Sequence, residues 1–174
     1  MNILNIHERE IPVKACELGT LIDGLASDHD ALWPKAMWPR IRFDRALGVG
    51  AIGGHGPIGY VVEEFCPQKS VKFRFLSPSG FHGFHCLEVI SVGQDSAILR
   101  HTISMQTGGL ALLLWLFAIR PLHDALLEDA LAQAQASMDI TPLVHPWSIW
   151  VRFLRWTMSR GQARSQHTPK IHPH

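Results

Sequence analysis

A short aromatic stretch carries the residue types most able to do chemistry in this chain. Residues 81–86 read FHGFHC, and His101 follows in the segment ILRHTISM. Imidazole titrates near neutral pH, so it can transfer protons or bind a metal ion, and a thiolate is a common metal ligand. The residue types alone leave three interpretations open: a metal site, a catalytic site, or the polar part of an apolar pocket wall.

The strands around this stretch decide which side chains can meet. Residues 47–105 read as successive strands separated by turns that contain glycine or proline. Pairing these strands as antiparallel hairpins places His85 opposite Ile103. The same pairing places Leu87 opposite His101. The two histidines are therefore diagonal neighbours on one face of the predicted sheet.

The three predicted hairpins agree on a single inward face. Its members alternate along the strands and are mostly aromatic or aliphatic. This face contains Tyr60, Val62, Phe73, Phe75, His85, Leu87, Val89, Leu99, His101, Ile103 and Met105. Charged side chains such as Lys72, Arg74 and Glu88 fall on the opposite face, together with Cys86. We therefore expect a sheet with one wet face and one buried face.

Other elements flank the predicted strands. The pattern predicts a first strand over residues 3–11, a helix over 13–25, and a second short helix or turn interrupted by Pro34 and Pro39. Helix-forming residues dominate 110–138, which predicts a long helix at the end of the domain. The first half of this helix is apolar nearly all round, so we expect more than one surface to cover it.

This order of elements resembles the helix-grip fold of the SRPBCC superfamily, which includes START-like, pollen-allergen-like and polyketide-cyclase-like proteins. The resemblance covers residues 3–138 and rests on the phrases REIPVKACELGTLIDGL, GPIGYVVEEFCPQKSVKFRF, GFHGFHCLEVISVGQDSAILRHTISM and RPLHDALLEDAL. It implies an α+β fold in which a curved antiparallel β-sheet wraps around a long C-terminal α-helix, with two short helices between the first two strands. It also implies a mostly apolar cavity that holds lipids, polyketides or other hydrophobic molecules.

Length and composition predict one folded domain with an extension. The chain has 174 residues, of which 47% are hydrophobic and 18% are charged, within the globular range. We divide it into a ligand-binding domain, residues 1–138, and a C-terminal extension, residues 139–174. The extension contains an amphipathic helix at about 146–160 and ends in a segment, 164–174, whose polar and proline-containing composition predicts disorder.

The inward face and the long helix together define the candidate ligand site. Its predicted members are Tyr60, Val62, Phe73, Phe75, His85, Leu87, His101, Ile103, Met105, Trp115 and His123. If the bound molecule reacts, His85 and His101 are the candidates for general acid and base. Because Cys86 lies on the opposite face, too few ligands converge for a metal centre. We predict neither a metal nor another cofactor.

Three further polar residues are weaker candidates. Glu64 shares the inward face by alternation, although a carboxylate at a strand end is usually solvated. His55 lies at the tip of a glycine-rich turn, which we place beside the pocket entrance. Asp124 follows His123 in the long helix, and we expect it to point elsewhere because adjacent helical residues do not share a face.

The pocket fits two classes of function. The first is binding or carriage of a small hydrophobic ligand, such as a lipid-like, polyketide or aromatic metabolite. The second is an enzyme similar to polyketide cyclases or dehydratases, in which His85 or His101 transfers a proton. Replacing both histidines by glutamine separates the two classes, since a carrier keeps its ligand affinity within about tenfold, whereas acid–base catalysis loses roughly a hundredfold in turnover.

The extension adds a third hypothesis. Trp147, Trp150, Arg152 and Arg155 form an aromatic and basic helix suited to a membrane interface. The alternatives are packing against the domain or against a second copy in a homodimer. A net charge of +1 gives no field that attracts nucleic acid, so we predict no nucleic-acid partner.

Cysteine usage and the first residues suggest a compartment. The three cysteines are far apart and form no CxxC pair, which favours a reducing environment. The first ten residues carry charges and lack the pattern of a secretory signal. The longest apolar run, residues 110–119, is too short to span a bilayer. We expect a cytoplasmic protein, with membrane association if the C-terminal helix binds lipid.

Overall fold

The three-dimensional structure is a computed structural model, which describes residues 1–165. Its elements follow one another as β1 (Asn2–Ile11), α1 (Ala15–Asp23), β2 (Arg42–Phe43), β3 (Ile52–His55), β4 (Ile58–Cys66), β5 (Ser70–Ser77), β6 (His82–Ser91), β7 (Ala97–Gln106), α2 (Gly109–Leu114), α3 (Arg120–Ser137) and α4 (Ile149–Ser165). A π-helical turn, Trp115–Ile119, joins α2 to α3. Gly109–Ser137 is therefore one continuous helix, called the long helix below.

The strands form one curved antiparallel sheet in the order β1-β7-β6-β5-β4-β3-β2. His85 of β6 pairs with Phe73 of β5 and with Ile103 of β7. His101 of β7 pairs with Leu87 of β6, as the turns predicted. The predicted α+β helix-grip fold is confirmed, because the sheet and the long helix enclose the core between them.

The register of β4 differs from the prediction after Val62. A β-bulge between Val62 and Glu64 pairs Glu64 with Lys72. The Lys72 Nζ lies 2.8 Å from a Glu64 carboxylate oxygen, and Glu64 is exposed. The inward placement of Glu64 by alternation is therefore wrong, because the extra residue in the bulge reverses the alternation. Its alternative interpretation as a solvated carboxylate is correct.

The connection between α1 and β2 contains one helical turn, where the sequence predicted a second short helix or turn. The amide nitrogens of Met37 and Trp38 both donate to the Pro34 carbonyl, at 2.9 and 3.0 Å. Pro39 follows and cannot donate to continue the helix. The turn nevertheless positions Trp38, which is buried against Leu126 of the long helix.

The core lies between α1, the concave face of the sheet and α3. Leu18 and Ile22 of α1, Val71 and Leu99 of the sheet, and Leu131 of α3 are fully buried in it. The apolar positions of α1 recur at three- and four-residue steps, so the helix presents one continuous apolar face to the sheet. This packing holds α3 in place over the concave face.

The first half of the long helix is exposed, in contrast to the expectation that several surfaces would cover it. Trp115 is buried against the end of the sheet, whereas Leu110 is 84% exposed and Phe117 is 63% exposed. The prediction is wrong because only one side of this segment faces the sheet. By length and composition the long helix is able to cross a membrane, which the run of ten apolar residues did not predict.

The C-terminal extension packs on the domain through α4. The Arg155 guanidinium lies 4.2 Å from the ring centroids of both Trp38 and Trp147. The indole nitrogens of these two tryptophans donate to one Asp129 carboxylate oxygen, at 2.7 and 2.9 Å. Of the interpretations that the sequence left open for this helix, Trp147 and Arg155 follow packing against the domain, since they hold α4 to it. The predicted disordered end beyond residue 165 lies outside the described residues.

Candidate functional site

A cavity of about 330 Å³ lies between the sheet and the long helix. Nine of the eleven predicted site residues line it: Tyr60, Phe73, Phe75, His85, Leu87, His101, Ile103, Trp115 and His123. The other two lie elsewhere. Val62 belongs to the core between α1, the sheet and α3, and Met105 packs in a cluster with Trp115. Much of the remaining wall is aromatic or aliphatic and includes Trp33, Trp38 and Phe81.

Two buried histidines form a hydrogen-bonded pair in this wall. The His85 Nδ1 and the His101 Nε2 are 3.2 Å apart. Within the described residues, the remaining ring nitrogens, His85 Nε2 and His101 Nδ1, are buried and have no hydrogen-bond partner. In a neutral pair one ring must donate to the other. Either choice of tautomer therefore leaves a free N–H donor on one ring and a free acceptor on the other. We call His85 and His101 the histidine pair.

The surroundings of the histidine pair keep it uncharged. The His85 ring stacks on Phe73 and Phe75, with ring centroids 4.7 and 5.0 Å apart, and meets the edge of Tyr60 at 4.8 Å. Burial among these rings holds the pKa of both His85 and His101 well below the usual value, with a smaller contribution from neighbouring histidines. Both imidazoles are neutral at physiological pH.

His55 and Tyr60 extend the polar line along the cavity wall. The His55 Nδ1 lies 3.2 Å from the Tyr60 hydroxyl, and the His55 ring packs on Trp33 at 4.9 Å. Burial lowers the pKa of His55 to about 4 and raises the pKa of Tyr60. These two groups offer neutral hydrogen-bonding atoms next to the histidine pair.

A second group of polar residues lies on the other side of His101, where β1 meets α3. The rings of His101 and His123 are 5.0 Å apart. The His7 Nε2 lies 3.0 Å from an Asp124 carboxylate oxygen, and the His7 Nδ1 lies 2.9 Å from Glu128. The same Asp124 oxygen is 3.6 Å from the His123 Nδ1. We call His7, His123, Asp124 and Glu128 the carboxylate corner.

The carboxylates of this corner raise the pKa of His7, whereas burial lowers the pKa of His123. Burial opposes the charge on His7, but hydrogen bonds to Asp124 and Glu128 outweigh it and raise the pKa of His7. Burial likewise disfavours the Asp124 carboxylate, yet its contacts with His123 and His7 hold its pKa well below the usual range. The Arg9 guanidinium lies 2.6 Å from Glu128 and fixes that carboxylate.

Sequence reasoning missed most of the carboxylate corner. Asp124 was expected to point elsewhere, but α3 crosses β1 so that both His123 and Asp124 reach the strand. His7 was not identified because the inward face of β1 was left open. The signal was present, since Ile3 and Ile11 are buried and lie at the same alternating positions as His7.

The curved antiparallel sheet, the long helix and the cavity between them define the helix-grip fold. No protein-family model matches the chain, and no curated protein matches it in sequence. Three-dimensional comparison, in contrast, finds solved structures of this fold.

Norcoclaurine synthase from Thalictrum flavum, in complex with dopamine and hydroxybenzaldehyde, is 17% identical, covers 80% of this chain and 88% of its own, and has a TM-score of 0.59. A truncated form of the same enzyme is 16% identical, with 80% and 95% coverage and a TM-score of 0.62. CalU16 from Micromonospora echinospora is 12% identical, with 97% and 98% coverage and a TM-score of 0.55. At these identities the likeness concerns the fold.

Proposed function

We propose that this protein binds a small hydrophobic molecule in the cavity and that an oxygen atom of this molecule hydrogen-bonds to the histidine pair. The observation that carries the proposal is the free donor and the free acceptor that His85 and His101 hold inside an apolar wall. Buried polar atoms in proteins nearly always have a partner. Ligand pockets commonly combine apolar walls with a few such polar groups.

The size and lining of the cavity suggest an aromatic ligand. An engineered cavity of about 150 Å³ holds benzene, so a cavity of about 330 Å³ has room for roughly two rings. Phe73, Phe75 and Trp115 offer ring faces and edges to such a guest. The similar norcoclaurine synthase structure holds dopamine and hydroxybenzaldehyde, which are aromatic molecules with hydroxyl groups. Phenolic two-ring molecules are therefore suitable probes.

A matched pair of probes tests the proposal. 2-Naphthol and 2-methylnaphthalene differ by a hydroxyl in place of a methyl group, and calorimetry on the full-length chain compares their affinities. We expect 2-naphthol to bind up to about tenfold more tightly, because one added hydrogen bond contributes roughly 0.5–1.5 kcal/mol. The double variant His85→Phe/His101→Leu should lose this preference.

The control is His82→Gln, an exposed histidine on the same strand, which should keep the preference for 2-naphthol. If neither probe binds to the native chain, binding in the cavity is wrong. If both bind equally well, the cavity assignment stands and the hydrogen bond to the histidine pair is wrong.

The enzyme hypothesis concerns the same two imidazoles. A neutral pair can accept a proton on one ring and release a proton from the other, with the proton between them shifting from one ring to the other. Such a pair would remove a proton from the carbon next to a ketone and deliver one to its oxygen, forming the enol. 2-Tetralone, a two-ring ketone, is a suitable probe. When its enol returns to the ketone in D₂O, the carbon takes up deuterium.

Exchange of 2-tetralone protons followed by NMR separates a carrier from an enzyme. An acid–base enzyme accelerates exchange above the buffer rate, and His101→Gln should reduce this acceleration by roughly a hundredfold. Exchange at the buffer rate while 2-tetralone is bound would identify a carrier.

A second candidate function is contact with a membrane surface, favoured by the exposed apolar side chains of two adjacent helices. The Trp150 indole nitrogen donates to the Phe117 carbonyl at 2.8 Å, which joins α4 to the long helix. On the same two helices Leu110, Phe153 and Trp156 are also exposed, with Phe153 stacked on Trp150 at 5.4 Å. Large apolar surfaces that include tryptophan are typical of membrane or protein contacts.

Liposome co-sedimentation tests this surface. We expect Phe117→Ser/Phe153→Ser to reduce partitioning onto vesicles that contain anionic lipid, while Val92→Ser, an exposed apolar residue in the β6–β7 turn, leaves it unchanged. If the double variant instead dissociates a dimer in light scattering and vesicle binding is absent in the native chain, the surface is a homodimer interface.

A further inference from the structure

We propose that the carboxylate corner is a binding site for one divalent transition-metal ion, held by His7, His123 and Asp124. The metal-ligating atoms of these three side chains all lie within 4.8 Å of one another. The residues come from two elements, since His7 lies on β1 and the other two on α3. The inference does not rest on the proposed ligand, because an ion can be measured with the cavity empty.

The distances between the ligand atoms suit an ion between them. Zinc lies about 2.0–2.2 Å from nitrogen and oxygen ligands, so two ligands of one ion are roughly 3–4 Å apart. The Asp124 carboxylate oxygen is 3.0 Å from the His7 Nε2 and 3.6 Å from the His123 Nδ1. Small side-chain rotations of the two histidines would complete the approach.

His123 provides an independent observation. Both of its ring nitrogens are buried, and neither has a hydrogen-bond partner within the part of the chain that the structure describes. An imidazole in this position loses hydration without replacing it. Coordination of an ion by the Nδ1 would give one of these two nitrogens a partner.

The neighbours of the three ligands form the supporting contacts typical of metal sites. Metal-bound histidines usually donate their other N–H to a carboxylate or carbonyl, which fixes the ring. Here the His7 Nδ1 lies 2.9 Å from Glu128, and Arg9 holds Glu128 at 2.6 Å. The Asn5 side-chain amide donates to the Asp124 oxygen at 3.1 Å. These contacts fix the orientation of the ligand atoms of His7 and Asp124.

The ligand set selects the class of ion. Two imidazoles and one carboxylate suit Zn²⁺, Co²⁺ or Fe²⁺, whereas Mg²⁺ and Ca²⁺ prefer sites built from oxygen. Three protein ligands leave a coordination position for water or another molecule, as in catalytic zinc sites. His123 also lines the cavity, so an ion that it held would be close to the space in which a guest would lie.

The test measures Co²⁺ and Zn²⁺ binding to the full-length chain after treatment with a chelator. Histidines near the C-terminus can bind ions by themselves, so they are replaced by glutamine in every sample: His167, His172 and His174. We expect one ion per chain and visible Co²⁺ absorption of the strength seen in sites of low coordination number. His123→Gln and Asp124→Asn should each weaken binding by at least a hundredfold.

Two further variants sharpen the result. Glu128→Gln keeps all three ligands and should weaken binding by about 10–100-fold, the usual effect of losing a supporting contact. His82→Gln, which removes an exposed histidine, should change nothing. Binding of less than one ion per two chains, or equal affinity in the native chain and in Glu128→Gln and His123→Gln, would overturn the proposal. Circular dichroism of each variant identifies any that fails to fold, in which case Glu128→Gln decides.

Discussion

The histidine pair and the carboxylate corner lie side by side, but the pKa of His7 in the corner shifts in the direction opposite to that of the pair. Rings of the two groups, His101 and His123, are 5.0 Å apart. Burial among aromatic rings lowers the pKa of both members of the histidine pair. At His7, hydrogen bonds to Asp124 and Glu128 overcome burial and raise the pKa. At His123, whose Nδ1 lies 3.6 Å from Asp124, burial still prevails and lowers the pKa. The pKa of His7 rises because its hydrogen bonds to two carboxylates together outweigh burial.

This difference predicts opposite dependences of stability on pH. The histidine pair is neutral in the folded state and titrates near its usual pKa of about 6.5 when unfolded. Below that pH the unfolded state binds more protons, so stability falls as the pH falls. His7 is stabilised in its charged form, so its contribution is present below about pH 6.5 and is lost as the pH rises through its folded-state pKa.

The largest expected effect is the loss of stability in acid. Each buried neutral histidine should lower the free energy of unfolding by up to about 1.4 kcal/mol per pH unit below pH 6.5. His85→Phe keeps the ring between Phe73 and Phe75 and removes one such group. Urea unfolding at pH 7, 6 and 5, with a chelator present, should therefore show a shallower decline in the variant.

The control for this experiment is His29→Gln, which replaces an exposed histidine and should decline as steeply as the native chain. If the free energy of unfolding falls equally steeply with pH in His85→Phe and in the native chain, His85 is protonated in the folded state. The pKa shifts of the two regions would then not be opposite.

An intermediate effect is expected from Glu128→Gln without metal. The change leaves Arg9, which is largely buried, without its carboxylate partner and removes one of the two carboxylates from His7. We expect a loss of about 1–3 kcal/mol in the free energy of unfolding at pH 7, because a group hydrogen-bonded to a charge then lacks its partner. Urea unfolding measures it, with exposed Glu17→Gln as the control.

The same variant also tests the cause of the charge on His7. NMR titration should show that the pKa of His7 falls in Glu128→Gln, since one of the interactions that raise it is gone. An unchanged pKa would show that Asp124 alone raises the pKa of His7.

The histidine pair was predictable from sequence, whereas the carboxylate corner was not. Turn positions set the register of the hairpins, and side chains on a strand alternate, so the shared face of His85 and His101 follows from local patterns. His7 and Asp124 are separated by 117 residues. Their contact depends on the path of α3 across β1, which no local pattern encodes.

Two further residues, Glu64 and Trp147, show why the sequence did not determine the surroundings of a side chain. Glu64 was placed on the wrong face because a β-bulge adds one residue to β4 without a glycine or proline to mark it. The choice between lipid contact and packing stayed open for Trp147 because its partner, Asp129, lies on another helix. An amphipathic helix has the same pattern whether its apolar side meets lipid or protein.

The smallest expected effect is the contribution of His7 to the free energy of unfolding between pH 6 and pH 8. His7→Gln removes the charged imidazole, although the glutamine amide can still donate to one carboxylate. We expect a loss of at most about 1 kcal/mol near pH 6, the scale of a single hydrogen bond, and a smaller difference from the native chain as the pH rises. Urea unfolding at pH 6, 7 and 8 in chelator measures this difference. If the difference instead grows with pH, His7 is neutral in the folded state at pH 6. The carboxylates then do not raise its pKa, and His7 does not differ from the histidine pair in this respect.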